Sequence, residues 1–117
     1  MAVPATLEVV SFVAAGCRFA VEARRVDALL NDTPATAVDI ETLLGLSVAP
    51  VARRRCLRSA GRWLRVSEPV ELRALAGEQI FPLPELVARR MCIKGACALA
   101  LAADGATVLL DLHALLA

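Results

Sequence analysis

The run Ile93-Lys94-Gly95-Ala96-Cys97-Ala98-Leu99-Ala100-Leu101-Ala102-Ala103-Asp104-Gly105-Ala106-Thr107-Val108-Leu109-Leu110-Asp111-Leu112 decides how the chain is read. Cys92 to Ala102 is a long apolar strand, Asp104-Gly105 is the clearest hairpin turn in the chain, and Ala106 to Leu110 is the return strand. Asp111 then starts a terminal helical segment that runs through Leu116. The break at Ala103-Asp104-Gly105 also keeps Gly95 to Leu112 from being an uninterrupted apolar run of the roughly 18 residues that a membrane span needs.

Working back from this hairpin, Glu85 to Arg90 reads as one helical turn, with Pro84 at a first helical position where its missing N–H costs nothing. Gly77 to Pro84 reads as a loop. Arg54 to Ser59 and Trp63 to Val66 are strands around the turn Ala60-Gly61-Arg62. Val70 to Leu75 extends the sheet, with Pro69 as a bulge or edge position. Ser47 to Ala52, with Pro50, is a loop. Asp39 to Leu44 is a short helix that Asp39 can cap and Gly45 ends. Ala23 to Leu30 places Val26, Leu29 and Leu30 at helical spacing and predicts a short amphipathic helix, stopped by Asn31-Asp32-Thr33-Pro34. Thr6 to Ala14 and Arg18 to Glu22 form an opening hairpin about Ala15-Gly16-Cys17. Many short strands with closely spaced turns and three short helical pieces predict a β-barrel or a pair of small barrels.

With 117 residues the chain is one domain, and at 58% hydrophobic residues it can build a packed core. Aromatics are only 3%, so that core is aliphatic, with Phe12, Phe19, Trp63 and Phe81 as its few large members. A net charge of +1 gives no long-range field to gather nucleic acid or anionic membrane. Met1 to Val10 lacks a basic region ahead of its apolar stretch, so a cytosolic protein is expected, without membrane insertion.

Catalytic and metal chemistry find little to work with. The cysteines Cys17, Cys56, Cys92 and Cys97 form no C-x-x-C pattern, and His113 is the only imidazole, so no metal, cofactor or catalytic residue is expected. The six glycines are isolated and form no phosphate-cradling loop. The arginines Arg53-Arg54-Arg55, Arg58 and Arg62 could contact phosphates, but only Trp63 is near for stacking. A protein-docking edge carried by Arg54, Arg58 and Arg62 is the better reading, since arginine is enriched at interfaces.

The order of these signals resembles the CheW-like chemotaxis coupling proteins. Phe81-Pro82-Leu83-Pro84 is similar to the family's Pro-x-Pro segment, Ile93-Lys94-Gly95 to its Ile-x-Gly, and Leu109-Leu110-Asp111-Leu112 to its closing motif. Val10 to Ala14, Phe19-Ala20-Val21 and Val26 resemble its opening. The resemblance implies a mainly β fold, a double β-barrel of SH3-like subdomains with short helices. Residues 1–50 with 106–117 would form a shortened first subdomain and residues 51–105 the second. It is shortened because roughly twenty family residues, ending in an Asn-Leu-Arg-Gly motif, have no counterpart between Leu30 and Val38. Val66-Ser67 stands where the family has Val-Asp.

The resemblance further implies a non-catalytic bridge between the cytoplasmic domain of a methyl-accepting chemoreceptor and a CheA-like histidine kinase or another CheW-like adaptor. Val26 falls at a receptor-contact position, with Arg25 and Leu29 as its neighbours in the candidate receptor interface. Loss of the Asn-Leu-Arg-Gly arginine implies reduced kinase docking, and the chain resembles the truncated CheW-like adaptors of gliding-motility systems. A second expectation is a self-associating, strand-pairing module that forms a homodimer through an exposed barrel edge.

Overall fold

The structure, a computed structural model, describes residues 6–31, 36–46, 54–90, 93 and 95–116, with only the backbone of residue 88. The loop expected over Ser47 to Ala52 lies outside these residues, as does Cys92, the expected start of the long apolar strand.

The expected opening hairpin forms: β1 is Thr6–Ala14 and β2 is Cys17–Glu22. The closing hairpin is β8, Ala96–Ala102, and β9, Gly105–Leu110, followed by helix α3, Leu112–Leu116. Asp111 starts that helix by accepting the His113 N–H at 2.9 Å, the capping role its position ahead of an apolar run predicts. Between the hairpins lie β3 (Ala28–Leu30), β4 (Val38–Asp39), helix α1 (Ile40–Leu44), β5 (Arg54–Ser59), β6 (Arg62–Ala76), β7 (Ile80–Pro82) and helix α2 (Glu85–Arg90). The sheet runs β3-β5-β6-β1-β2-β9-β8-β7, with β4 pairing β6 off this path. The mainly β expectation is met.

Three local expectations are corrected. Ala23 to Leu30 is not a helix: a 3-10 turn covers Ala23–Arg25, Val26 is extended, and Ala28–Leu30 pairs antiparallel with β5. The spacing of Val26, Leu29 and Leu30 does not by itself decide so short a segment, and pairing with β5 overrides it. Ile80 to Pro82, read as loop, is an edge strand on β8, with Pro82 at the margin where its missing N–H is tolerated. Trp63 to Val66 and Val70 to Leu75 belong to one 15-residue strand. Pro69 does sit at an irregularity: Ser67 faces Val13 and Glu71 faces Ser11, so four steps on β6 meet two on β1.

Two apolar clusters divide the interior. The larger joins Phe12, Phe19 and Val21 to Ile40, Leu44, Leu57, Leu64, Val66, Leu110, Leu112 and Leu115. The smaller joins Val9, Ala20, Leu75, Ala98, Ala100 and Leu109. Strands β1, β2 and β9 stand between them. Side chains alternate across a strand, so Val9, Ala20 and Leu109 face one core while Val10, Val21 and Leu110 face the other. A wall buried on both faces reads as an unbroken apolar run, which is why these three segments lack polar alternation. The clusters do not follow a cut at residue 50, because Leu57, Leu64 and Val66 pack with Phe12 and Phe19.

Only two of the expected large core residues are buried. Phe12 and Phe19 are each 1% exposed and stack with ring centroids 6.3 Å apart, whereas Phe81 is 51% exposed. Trp63 is half-buried and belongs to neither cluster.

Candidate partner-docking face

Strand β3 ends the sheet, and among the described residues it has no partner on its outer side. Its Leu29 and Leu30 are 37% and 40% exposed. The 3-10 turn ahead of it presents Arg25 to solvent and tucks Val26 against the larger core. The Asp27 N–H donates to the Arg58 carbonyl, and Ala28 faces Arg58 in register. The two groups of residues singled out from sequence are therefore neighbours. Arg25 and Arg62 line one hollow of about 260 Å³ with Ser59, Ala60, Leu112, His113 and Leu116. Arg58 lies over the Trp63 ring, its guanidinium carbon 5.7 Å from the centroid, a cation–π contact that holds both side chains at the hairpin end.

Arg54 is not on this face. Arg54, Cys56 and Arg58 alternate onto one side of β5, but Cys56 is fully buried, so that side is solvated only toward Arg58. The Arg54 side chain, 15% exposed, turns inward to Glu41, which is 1% exposed. Its Nη1 donates to Glu41 Oε1 at 2.7 Å and its Nη2 to Oε2 at 2.8 Å, a two-pronged pair. Nη2 also reaches Asp39 Oδ1 at 2.9 Å, and Arg65 Nη1 donates to the same oxygen at 2.8 Å. The Ser67 hydroxyl donates to Glu41 Oε1 at 3.2 Å.

Asp39 is thus the residue before α1 without capping it through its side chain: its carboxylate serves the arginines instead. Gly45 does end the helix, at φ 74°, the left-handed region glycine enters freely. Asp39 of β4 and Glu41 of α1 are thus brought against Arg54 of β5 and Arg65 and Ser67 of β6. The one sequence signal was Glu41 beside Ile40 and ahead of Leu44 on a short apolar helix.

Burial alone would push the Glu41 carboxyl up, but the hydrogen bonds and charge of Arg54 outweigh it and hold the group below its ordinary value. Asp39 is likewise lowered: burial opposes, and Arg65 and Arg54 prevail. Carboxylates lowered in the folded state stabilise it above their unfolded pKa, and that contribution is lost as the pH falls through the folded pKa. Thermal stability is therefore expected to drop below about pH 4.5, from the ordinary carboxylate range downward. A Glu41→Gln variant titrated by circular dichroism should start lower at pH 7 and decline less steeply with acid. A decline as steep as that of the parent chain would remove Glu41 from this account.

A second hollow, of about 180 Å³, lies at the seam between the clusters. Val9, Ala20 and Leu109 line it from the smaller core and Leu110 and Leu112 from the larger, with Glu22, Arg25 and Asp111 supplying charge. Arg25 borders both hollows. Cys97 lines the seam, and burial, with the charges of Asp111 and Glu22, pushes its thiol pKa up. A thiol so held stays protonated and is a poor nucleophile. Among the described residues no group of His, Cys, Asp and Glu could hold a metal ion, and no helix is long and apolar enough to cross a membrane.

No family model matches the sequence, and no curated protein matches it. A solved structure does: the scaffolding protein TtCheW from Thermoanaerobacter tengcongensis superposes with a TM-score of 0.75 over 97% of this chain and 92% of that one, at 18% identity. The chain has the CheW fold. In that fold the Ile-x-Gly position, Gly95, has a physical reason to be glycine. Its φ is +81°, and a Cβ there would lie 3.2 Å from the Asp111 carbonyl and 3.3 Å from Leu115 Cβ. The Gly95 carbonyl also accepts the Asp111 N–H at 2.8 Å, so this glycine seats the start of α3 against β8.

Proposed function

We propose that the chain is a non-catalytic chemosensory adaptor working in the cytoplasm. It docks the cytoplasmic tip of a methyl-accepting chemoreceptor and couples weakly or indirectly to a CheA-like histidine kinase. The observation that carries this reading is the CheW fold itself, shared over nearly the whole of both chains with a scaffolding protein. Arg25, Val26 and Leu29 form the receptor-docking corner, beside a seam lined by both cores, with Arg58 and Arg62 continuing it along β5 and β6. Arg54 supports this face from within by tying β5 to α1. Reduced kinase docking rests on the first subdomain's shortening: the Asn-Leu-Arg-Gly segment has no counterpart, and β3 and β4 span three and two residues. A place in a gliding-motility signalling system is part of the same proposal.

Titration of the full chain against a purified receptor cytoplasmic fragment and against the kinase tests it. Receptor binding is expected, with kinase binding at least roughly tenfold weaker, a gap of about 1.4 kcal/mol. Leu29→Arg is expected to weaken receptor binding by about tenfold or more, as an exposed apolar anchor does when charged. Tight kinase binding without receptor binding would overturn the proposal.

One observation favours a second reading, self-association: β3 carries two exposed leucines on an edge with no partner among the described residues. Light scattering that gave a dimer mass, abolished by Leu30→Lys, would support it.

A further inference from the structure

The hollow bordered by Arg25, Arg62 and His113 holds three basic groups, and no carboxylate is among the described residues that line it. Of the acidic residues close in sequence, Asp111 gives its carboxylate to the His113 and Ala114 N–H groups, and Asp27 does not line the hollow. Among the described residues Arg25 forms no ion pair. Among the described residues Arg62 is engaged through Nη1 alone, by the Leu116 carbonyl, and the remaining donors of its five-donor fork find no partner there. Two other exposed arginines differ in this respect: Arg24 pairs with Glu22 and Arg89 with Glu85. Leu112 and Leu116 give the hollow an apolar side.

We infer that this hollow is a docking site for an acidic segment of a partner protein, one that alternates Asp or Glu with aliphatic residues. Charge complementarity selects the anion, because two guanidinium forks and an imidazole border the hollow and the described residues lining it supply no counter-charge. The leucines select a peptide over a nucleic acid: a polynucleotide offers nothing to them, and the nearest aromatic, Trp63, is already covered by Arg58. The inference does not depend on the receptor reading, since it fixes the chemistry of the ligand and not its owner.

Fluorescence anisotropy tests it, with a fluorescein-labelled peptide of alternating Glu and Leu as the probe and the full chain as the titrant. Saturable binding is expected, and the Gln-for-Glu version of the probe is expected to bind roughly tenfold more weakly or worse. The double variant Arg25→Glu, Arg62→Glu should lose roughly tenfold or more in affinity, while Arg89→Glu, which shifts net charge on a distant helix, should stay within about twofold. Both arginines are surface residues, and circular dichroism establishes that the variants fold. No saturable binding, an equal loss in Arg89→Glu, or displacement of the probe by a short single-stranded oligonucleotide or by inorganic phosphate at similar concentration would each overturn the inference.

Discussion

Arg54→Ala is expected to destabilise the protein by about 3–5 kcal/mol and to lower its thermal midpoint by roughly 10–20 °C. The reason is the state in which the change leaves Glu41. That carboxylate is 1% exposed and takes both oxygens' hydrogen bonds from the Arg54 fork, so removing the arginine strands a charge in the interior. Replacing both partners with apolar groups, Glu41→Leu with Arg54→Met, removes the need for compensation and should cost far less than either single change, which a double-mutant cycle measures. The pH dependence supplies a separate check. In Arg54→Ala only Ser67 and the backbone still oppose burial at Glu41, so its carboxyl should rise above its unfolded value. A raised carboxyl favours the folded state at low pH and loses that contribution as the pH climbs. The variant should therefore regain ground on the parent chain as the medium is acidified. A constant gap between pH 4 and pH 7, or a loss below about 1 kcal/mol, would show that water and not Arg54 satisfies Glu41.

The same arginine shows where sequence reading stops. Hairpin turns at Ala15-Gly16, Ala60-Gly61 and Asp104-Gly105, with apolar runs on either side, are local signals, and the strands they predict form. The CheW resemblance came from the order of such signals, and the fold agrees with it. Local signals do not report which face of a strand is covered by something distant in sequence. Arg54 and Arg58 share a side of β5, yet one is buried against α1 and the other lies over Trp63, and nothing within the segment separates them. The β3 segment failed in a related way. Val26, Leu29 and Leu30 fit a helical stripe and a short strand equally well, and the deciding partner, β5, begins 24 positions beyond Leu30. The face at Arg25, Val26, Leu29, Arg58 and Arg62 was legible as residues but not as one surface, because the register of β3 on β5 joins its parts.

Phe12→Ala is expected to destabilise by about 3–5 kcal/mol, and to do so across the whole molecule. The ring is 1% exposed in the larger core and stacks on Phe19, so the substitution leaves a cavity that the neighbouring aliphatic side chains fill only in part. Confinement of the damage to that core would require the two lobes to unfold separately, and their construction argues against this. Strands β1, β2 and β9 give alternate residues to each core: Val9, Ala20 and Leu109 to the smaller, Phe12, Val21 and Leu110 to the larger. A strand cannot release one face and keep the other, since both faces depend on the same backbone ladder. The smaller cluster, six described buried residues of which three are alanines at 20, 98 and 100, is also too slight to hold a lobe together once its shared walls are gone. Native-state hydrogen exchange reads this directly. In the parent chain the amides of Leu57 and Leu64 in the larger lobe, and of Ala98 and Ala100 in the smaller, should exchange with the same opening free energy. In Phe12→Ala both sets should fall by the same amount. If Ala98 and Ala100 kept their protection while Leu57 and Leu64 lost it, the lobes would be independent units, and a partner docking at their seam could then act on one without the other.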